Sequence, residues 1–292
     1  MDTIEPARDI QYVTRPEGRI AYSVAGEGPL LVLVPGMGDL RSTWRELDGP
    51  LTGAGYRVAA LDLRGHGDSD TTFTEHGDVV TAQDLLALIE HLGGPAVVIG
   101  SSMGTSAAAW AAAERPDLVA GLVLVSPMLR EPGGWSIVRP LVHLLYRILF
   151  ARPWGAAVWA AYYRKVLNKG ATASWLDEHV RAVRATMRRP GRLRSFRELA
   201  LALDHSVVEA RLGEVHAPAL VVVGALDPDY RDPAAELDWT MAALDAQGVL
   251  LPSVAHYAQH QAPEVVVPAT LTFLAGLPRT AGSWVAPVWH RA

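Results

Sequence analysis

The chain has 292 residues, no cysteine and a formal net charge of −5, from 26 basic and 31 acidic residues. The lack of cysteine excludes disulfides, thiolate metal sites and cysteine nucleophiles. Half of the residues are hydrophobic, which suits one large α/β domain with room for an inserted subdomain. The first residues have neither a basic nor an apolar leader pattern, and glycines interrupt the longest uncharged stretch, residues 92–113. We therefore expect a cytoplasmic protein without a secretory signal or a membrane span.

Short apolar runs alternate with amphipathic stretches on both sides of a central block. The predicted strands are residues 11–14, 20–24, 30–34, 57–61, 95–99, 121–125, 219–223 and 248–251. The predicted helices outside that block are residues 41–51, 82–92, 105–113, 233–244 and 263–275. Strands that alternate with helices pair in parallel through right-handed crossovers. The pattern predicts a mostly parallel eight-stranded sheet flanked by helices.

The alternation stops at Pro127, where four consecutive helices are predicted, over residues 137–150, 155–167, 175–187 and 196–209. Between positions 130 and 198 there are 14 basic and four acidic residues, so this stretch is strongly cationic while the rest of the chain is anionic. A segment of opposite charge predicts a separate structural unit. We therefore divide the chain into a core (1–127 and 209–277), an inserted all-helical cap (128–208) and a tail without a clear element (278–292).

A serine lies where a predicted strand meets a predicted helix. Ser102 stands in Gly100-Ser101-Ser102-Met103-Gly104, directly after the strand at 95–99. A tight turn there holds the hydroxyl out of the strand, and Gly100 and Gly104 avoid side chains where strand and helix come close. A serine hydroxyl needs a base and oxyanion donors before it can act as a nucleophile. The motif predicts Ser102 as that nucleophile.

Two further groups follow late strands, at the same edge of a parallel sheet. Asp227 comes after the strand at 219–223, and His256 comes after the strand at 248–251. Nucleophile, acid and base in this chain order are typical of the strand–turn–helix motif, so His256 is the expected base and Asp227 its orienting acid. Asp229 and His260 are the rival candidates. We expect Asp229 to point elsewhere and His260 to support the site or cap the next helix.

The loop after the third strand is predicted to stabilise negative charge on the substrate. Backbone N–H groups must face the carbonyl oxygen as charge develops on it. Met103 supplies one N–H group as the residue after the nucleophile. Met37 is expected to supply the other, with Gly36 and Gly38 allowing the loop to curl. A simple tight turn is the alternative interpretation of this loop.

Together these motifs resemble the α/β-hydrolase superfamily, from about residue 11 to residue 277. The matching stretches are Val34–Gly38, Asp62–Ser69, Gly100–Gly104, Gly224–Asp227 and Ala255-His256. The resemblance implies the α/β-hydrolase fold and the roles given above. Among the other histidines, His66 is expected to brace the Arg64 loop rather than to react. Pro35 and Ala255 depart from the residues frequent in this superfamily. The tight turn at residues 100–104 is the nucleophile elbow of this superfamily, and its central residue here is serine. The resemblance therefore argues against a haloalkane dehalogenase or an epoxide hydrolase, whose nucleophile is a carboxylate.

The cap is expected to cover the carboxyl edge of the sheet and to shape the pocket. Most of its many aromatic side chains are expected to pack on each other or on the core, and a few that face the cleft would imply a bulky apolar substrate. Its arginines have two interpretations: solvated helix faces, or attraction of an anionic or carrier-linked substrate such as a coenzyme A thioester or an acyl-carrier protein. Nucleic acid binding is not expected, since the rest of the chain is acidic.

The sequence predicts a serine hydrolase that needs no cofactor and no metal and cleaves an apolar or aromatic ester, lactone or thioester. A carbon–carbon bond hydrolase, a perhydrolase or haloperoxidase-like enzyme and a non-hydrolytic cyclase are alternatives on the same scaffold. A ligand-binding protein without turnover is an alternative of another class. The substrate's identity and the oligomeric state are left open.

Overall fold

The structure, a computed structural model, describes residues 9–280 and 282–285. One sheet of eight strands runs through it. The strands are Gln11–Arg15 (β1), Gly18–Ala25 (β2), Leu30–Val34 (β3), Arg57–Leu61 (β4), Ala96–Ser101 (β5), Val119–Val125 (β6), Ala219–Gly224 (β7) and Gln247–Leu251 (β8). Their order across the sheet is β1-β2-β4-β3-β5-β6-β7-β8. β1 and β2 pair antiparallel, as do β2 and β4, and the remaining neighbours are parallel. The predicted sheet is confirmed.

The central strands owe their position to continuous apolar sequence. Every residue of β3, β5, β6 and β7 is buried, as expected for parallel strands covered on both faces. In β3, Leu30, Val32 and Val34 join the apolar cluster on one face, whereas Leu31 and Leu33 join the cluster on the other. This period of two places the sheet between two helical layers.

The chain contains eleven described α-helices. They are Arg45–Gly53 (α1), Asp78–His91 (α2), Met103–Glu114 (α3), Trp135–Leu149 (α4), Gly155–Tyr162 (α5), Leu176–Met187 (α6), Arg192–Ala202 (α7), Ser206–Glu209 (α8), Pro233–Leu244 (α9), Ala258–Gln261 (α10) and Pro263–Ala275 (α11). α2 and α3 pack on one face of the sheet, and α1 and α11 pack on the other. A 3₁₀ turn, Arg41–Trp44, leads into α1.

Helices α4 to α8 all lie between β6 and β7 in the chain, and they fall within the segment predicted as the cap except for Glu209, the last residue of α8. Aromatic side chains of these helices and of the turns that follow α4 and α5 form a cluster that includes Phe150, Trp159, Tyr163 and Phe196. This cluster also contains Tyr257 of the core, so the inserted helices pack against the end of the sheet where Ser102 lies.

Two predicted cap helices are not continuous. The helix predicted over 155–167 changes to a π turn at Tyr163–Leu167. The helix predicted over 196–209 stops at Ala202 and resumes at Ser206, which leaves His205 in the break. Side chains replace the helical acceptors there, since the His205 N–H donates to Glu131 at 2.7 Å and the Asp204 N–H donates to Asp78 at 3.2 Å.

The described part of the tail packs on the core. Arg279–Thr280 (β9) and Ser283–Trp284 (β10) form a two-stranded ribbon. The indole N–H of Trp284 donates to the carbonyl of Leu30 at 2.7 Å, and its ring stacks on Tyr56 at 5.7 Å. Trp289, the other tail tryptophan, lies outside the described residues. Within residues 9–280 and 282–285, no helix combines the length and the apolar character needed to cross a membrane.

Candidate active site

Ser102 stands alone between β5 and α3, in a strained backbone conformation. Its φ of 55° and ψ of −129° lie in a region that non-glycine residues rarely adopt, at a cost of about 1–3 kcal/mol. Its N–H donates to the carbonyl of Val125 at 3.0 Å, and its carbonyl accepts from the N–H of Thr105 at 2.9 Å. These bonds hold Ser102 at the N-terminus of α3, at one end of the sheet.

The elbow glycines are required by close backbone approach. A Cβ added at Gly100 would lie 2.7 Å from the carbonyl oxygen of Gly104. A Cβ added at Gly104 would collide with the carbonyl oxygens of Val34 and Pro35. No side chain fits at either position, so α3 can begin directly against β3 and β5.

The loop after β3 passes beside the predicted nucleophile. A Cβ added at Gly36 would lie 2.9 Å from the Cβ of Ser102, and Gly38 has a φ of 72°. No hydrogen-bond acceptor is found among the described residues for the backbone N–H groups of Met37 and Met103. Both residues line the cavity that contains Ser102. The role of these two N–H groups as oxyanion donors stays a prediction.

The same loop is tied to the cap by buried hydrogen bonds. The Asp39 carboxylate contacts His179 Nε2 at 2.6 Å and accepts from the Tyr163 hydroxyl at 3.1 Å. The Trp159 indole N–H donates to the carbonyl of Gly38 at 2.9 Å. The sequence prediction used neither Asp39 nor His179, and a lone aspartate after a glycine-rich turn carries no signal of a partner 140 positions away.

His256 and Asp227 meet at the carboxyl ends of β8 and β7. The Nδ1 of His256 lies 2.9 and 3.1 Å from the two carboxylate oxygens of Asp227. Burial alone would raise the pKa of Asp227, but the charge of His256 and the hydrogen bond to it outweigh burial and lower that pKa. The carboxylate thus holds the proton on Nδ1, and Nε2 remains for the cavity that both His256 and Ser102 line.

Asp229 does not point elsewhere, contrary to the sequence-based expectation. Its Oδ2 lies 3.4 Å from Nδ1 of His256, and its Oδ1 accepts from the Tyr162 hydroxyl at 3.3 Å. The Asp229 N–H donates to the Asp227 carboxylate at 3.0 Å, and this tight turn keeps both carboxylates beside the imidazole. Burial raises the pKa of Asp229, and the charge of Asp227 adds to that effect.

Two carboxylates therefore act on one imidazole. Burial lowers the pKa of His256, but the charges of Asp227 and Asp229 exceed that effect and raise the pKa to about 9. Asp227, Asp229 and His256 also offer three possible metal-ligand atoms within 4.8 Å of one another. The contact between Nδ1 and Asp227 already uses these atoms, so a metal ion would have to displace that hydrogen bond.

His260 and His66 bind groups other than Ser102 and Asp227. His260 lies in α10, and its Nε2 contacts the side-chain oxygen of Asn168 at 2.7 Å, while burial lowers its pKa to about 3. The Nδ1 of His66 lies 2.8 Å from the carbonyl of Arg64, and burial lowers its pKa to about 4. Neither ring hydrogen-bonds to Ser102 or to Asp227.

A cavity of about 390 Å³ joins the core to the inserted helices. It contains Ser102 and His256, and its wall is mostly apolar and aromatic. The aromatic lining residues are Trp135, Tyr146, Phe150, Trp159, Tyr162 and Tyr257. Among the described residues, no lysine or arginine lines this cavity, although Glu131 and Asp229 do. The arginines of the cap therefore do not form the wall of this cavity, and no sequence pattern pointed to Glu131 or His205 as lining residues.

The chain is similar in sequence to proteins that carry different functional names. An uncharacterized protein of Mycobacterium tuberculosis is 33% identical over 129 residues, which is 42% of this chain and 38% of that protein. The chain thus spans well under half the length of this relative. A soluble epoxide hydrolase of Corynebacterium sp. is 26% identical over 276 residues, covering 89% of this chain and 94% of the relative. A 2-hydroxy-6-oxo-6-phenylhexa-2,4-dienoate hydrolase of Comamonas testosteroni is 29% identical over 254 residues, covering 82% and 85%.

Solved structures agree on the fold. The epoxide hydrolase from Vigna radiata superposes with a TM-score of 0.74 at 23% sequence identity, over 92% of this chain and 98% of that one. A model of the alpha/beta hydrolase family matches residues 31–269. That match includes Met37, Ser102, Asp227 and His256 and covers most of the chain. The chain belongs to the alpha/beta hydrolase family.

Proposed function

We propose that this protein is a serine hydrolase that cleaves an apolar or aromatic ester, lactone or thioester through an acyl-enzyme on Ser102. One observation carries the proposal. The strained Ser102, the His256 imidazole oriented by Asp227 and two unpartnered backbone N–H groups all border one cavity. Acyl transfer needs these three parts, a nucleophile, a base and an oxyanion site.

In the first half-reaction, His256 takes the Ser102 proton through Nε2 as Oγ attacks the substrate carbonyl. The N–H groups of Met37 and Met103 donate to the oxyanion, and each donor contributes about 3–4 kcal/mol in the transition state. The imidazolium, stabilised by Asp227, then gives its proton to the leaving alcohol or thiol. The bond to the leaving group breaks, and the acyl group stays on Ser102.

In the second half-reaction, water replaces the leaving group. His256 removes a proton from the water as its oxygen attacks the acyl carbonyl, and the same N–H groups receive the oxyanion. The proton then returns through His256 to Oγ of Ser102, and the carboxylic acid leaves. No electron transfer is required, so the residues described suffice for both steps.

Epoxide hydrolysis fits these residues poorly, despite the names of some relatives. Attack by Oγ of Ser102 on an epoxide carbon would form an alkyl ether. An ether has no acyl carbonyl for water to attack, so the enzyme would remain alkylated. Turnover of an epoxide through a covalent intermediate needs a carboxylate nucleophile, and the elbow residue here is serine.

Carbon–carbon bond hydrolysis is the second candidate, because the Comamonas testosteroni relative is named for a substrate that carries a ketone and a carboxylate. Attack by the same nucleophile at that ketone would break a carbon–carbon bond. The carboxylate is disfavoured here, since Glu131 and Asp229 line the cavity without a described lysine or arginine. Analysis of the products formed from an ester and from a substrate with that ketone separates ester hydrolysis from carbon–carbon bond hydrolysis. The same analysis detects perhydrolysis or cyclisation.

A fluorophosphonate probe tests the proposal against a binding protein without turnover. We expect stoichiometric labelling of Ser102 and hydrolysis of short p-nitrophenyl esters, and both should vanish in Ser102→Ala. Ser195→Ala is the matched control, because the Ser195 hydroxyl is buried in α7 and has no hydrogen-bond partner among the described residues. Undiminished ester hydrolysis by Ser102→Ala would sink the assignment. A carrier-linked thioester substrate and a cytoplasmic location stay proposals.

A further inference from the structure

The cavity has a second polar end that the proposed acyl transfer does not use. His205 lies in the break between α7 and α8, is only 5% exposed, and lines the cavity together with Glu131. Apart from His256, Ser102 and Asp229, the rest of the described lining is mostly apolar or aromatic. Polar groups facing an apolar cavity are costly unless a ligand or another group satisfies them.

One nitrogen of the His205 ring is already occupied. Nδ1 lies 3.1 Å from Oδ2 of Asp78 and 3.1 Å from Oγ of Ser106. The Ser106 hydroxyl gives its single proton to the carbonyl of Met128, so it can only accept from Nδ1. Nδ1 therefore carries a proton, and Nε2 is the ring nitrogen left for a ligand.

Glu131 lies beside His205 with one carboxylate oxygen free. Its Oε1 accepts the His205 N–H at 2.7 Å, and Oε2 has no hydrogen-bond partner in the part of the chain that the structure describes. Burial lowers the pKa of His205, but the hydrogen bond to Asp78 and the charges of Asp78 and Glu131 outweigh burial and raise it. This end of the cavity thus offers Nε2 of His205, which donates a hydrogen bond when the ring is charged, next to a carboxylate acceptor.

The surrounding charges disfavour an anion. Asp78 from α2, Glu131 from the loop before α4 and Asp204 all face His205. Arg139 of α4 lies 3.6 Å from Asp204 and does not line the cavity. A carboxylate placed here would meet more negative than positive charge.

The two polar ends lie within the length of one substrate. Ser106 follows Ser102 by four residues in the chain, so α3 separates them by one turn, about 6 Å. His205 contacts Ser106 directly. An acyl chain attached to Ser102 can therefore reach His205 along the apolar wall.

We propose that His205 and Glu131 form a subsite for a neutral group that both accepts and donates hydrogen bonds, a hydroxyl or a carboxamide, at the far end of the substrate's acyl chain. This inference rests on the proposed function, and it narrows the substrate class to ω-hydroxyacyl or ω-amidoacyl esters, lactones or thioesters. In the imidazolium form of His205, which the contact between Nδ1 and Asp78 favours, Nε2–H donates to the group, and Oε2 of Glu131 accepts from it.

The test compares p-nitrophenyl esters of hexanoic, octanoic and decanoic acids, each with a methyl, hydroxyl or carboxylate end. At the fitting length we expect kcat/KM to be about fivefold higher for the hydroxyl end than for the methyl end, since one net hydrogen bond contributes about 1 kcal/mol. The carboxylate end should be the poorest. Equal kcat/KM for the hydroxyl and methyl ends at every length would overturn the proposal.

Variants assign the preference to the two residues. In His205→Gln the hydroxyl-to-methyl ratio should fall to about one, and in Glu131→Gln the carboxylate-to-methyl ratio should rise. Asp238→Asn is the control, since it removes a carboxylate at an exposed position in α9 that does not line the cavity, and its ratios should match the parent. If His205→Gln does not fold, the Glu131→Gln ratio decides, and an unchanged ratio there contradicts the proposal.

Binding separates a failure of this inference from a failure of the proposed function. Methyl ketones with the same three ends have no leaving group, so titration calorimetry on Ser102→Ala measures their affinity without turnover. Tighter binding of the hydroxyl end, with no ester hydrolysed by the parent protein, would support the subsite and reject the hydrolase. Ester hydrolysis with no difference in affinity would do the reverse.

Discussion

Asp39 and His179 join the loop after β3 to the cap helix α6 through a 2.6 Å contact between Oδ1 and Nε2, with both side chains completely buried. Asp39 lies two residues after Met37, one of the proposed oxyanion donors. Its other carboxylate oxygen accepts from the Tyr163 hydroxyl. A cap residue thus positions the loop that is proposed to receive the substrate oxygen.

Removing His179 should therefore affect both stability and catalysis. His179→Ala leaves the Asp39 carboxylate buried without this partner, which we expect to lower the free energy of unfolding by about 3–5 kcal/mol. In protein that remains folded, kcat should fall more than KM rises. Denaturant unfolding and ester kinetics measure the two effects.

Ser42→Ala is the control for His179→Ala, since the Ser42 hydroxyl contacts Nδ1 of His179 at 3.2 Å and its loss should cost about 1 kcal/mol. Equal losses of stability in the two variants would contradict a special role of the buried pair.

The pair of Asp39 and His179 should also make stability depend on pH. Burial would raise the pKa of Asp39, but His179 outweighs burial and lowers it. This stabilisation is complete above the ordinary pKa of 3.8 and is lost as pH falls through the lowered value.

The pH dependence of hydrolysis should reflect His256. Because its pKa is raised to about 9, most of the imidazole is protonated at neutral pH and cannot act as a base. We expect kcat/KM for an uncharged ester to rise with pH toward about 9.

The raised pKa of His256 also makes the stability of the fold depend on pH. Its contribution to stability is fully present below the ordinary pKa of 6.5 and is lost as pH rises through about 9.

Asp229→Asn should move that profile. The substitution removes one of the two negative charges beside His256, so the midpoint should fall by about one pH unit and activity at neutral pH should increase. Asp238→Asn, at an exposed position in α9, removes the same charge at a distance and should leave the midpoint in place. A midpoint unchanged in Asp229→Asn would show that Asp227 alone sets the pKa.

Gly36→Ala should impair catalysis at the nucleophile. The new Cβ would lie 2.9 Å from the Cβ of Ser102, so either the loop or the serine must shift, and a displacement of this size can lower kcat by about 100-fold. Gly53→Ala is the matched control, because no described atom outside its own stretch of helix lies within 4 Å of a Cβ at that position. We expect Gly53→Ala to keep full activity. Normal kcat in Gly36→Ala would refute the close packing of loop and elbow.

Trp159→Phe tests the second link between cap and loop. The variant keeps most of the aromatic packing and loses the hydrogen bond from the indole N–H to Gly38. Trp154→Phe loses an equivalent bond to the carbonyl of Ile148 within the cap. Each should cost about 1 kcal/mol of stability, but only Trp159→Phe should lower kcat. Equal kinetics in the two variants would count against a role for the cap in positioning the loop.

Local patterns explain why so much of the core was predictable. Continuous apolar runs such as residues 30–34 and 219–223 became strands buried on both faces, because a parallel sheet between two helical layers leaves no polar side for them. The Gly-Ser-Ser-Met-Gly elbow is a local steric requirement and was likewise visible. The break at His205 was not visible, because side chains distant in sequence satisfy its backbone.

The sequence by itself determined the sheet, the elbow serine and the order of Ser102, Asp227 and His256, since these depend on neighbouring residues and on strand ends. The tertiary structure decided that Asp229 lies beside His256, that Asp39 is held by the cap, and that the cap's arginines stay off the cavity wall while Glu131 and His205 line it. These relationships depend on which side chains meet across long separations in the chain, and charge or composition summed along a segment carries no information about which way each side chain faces.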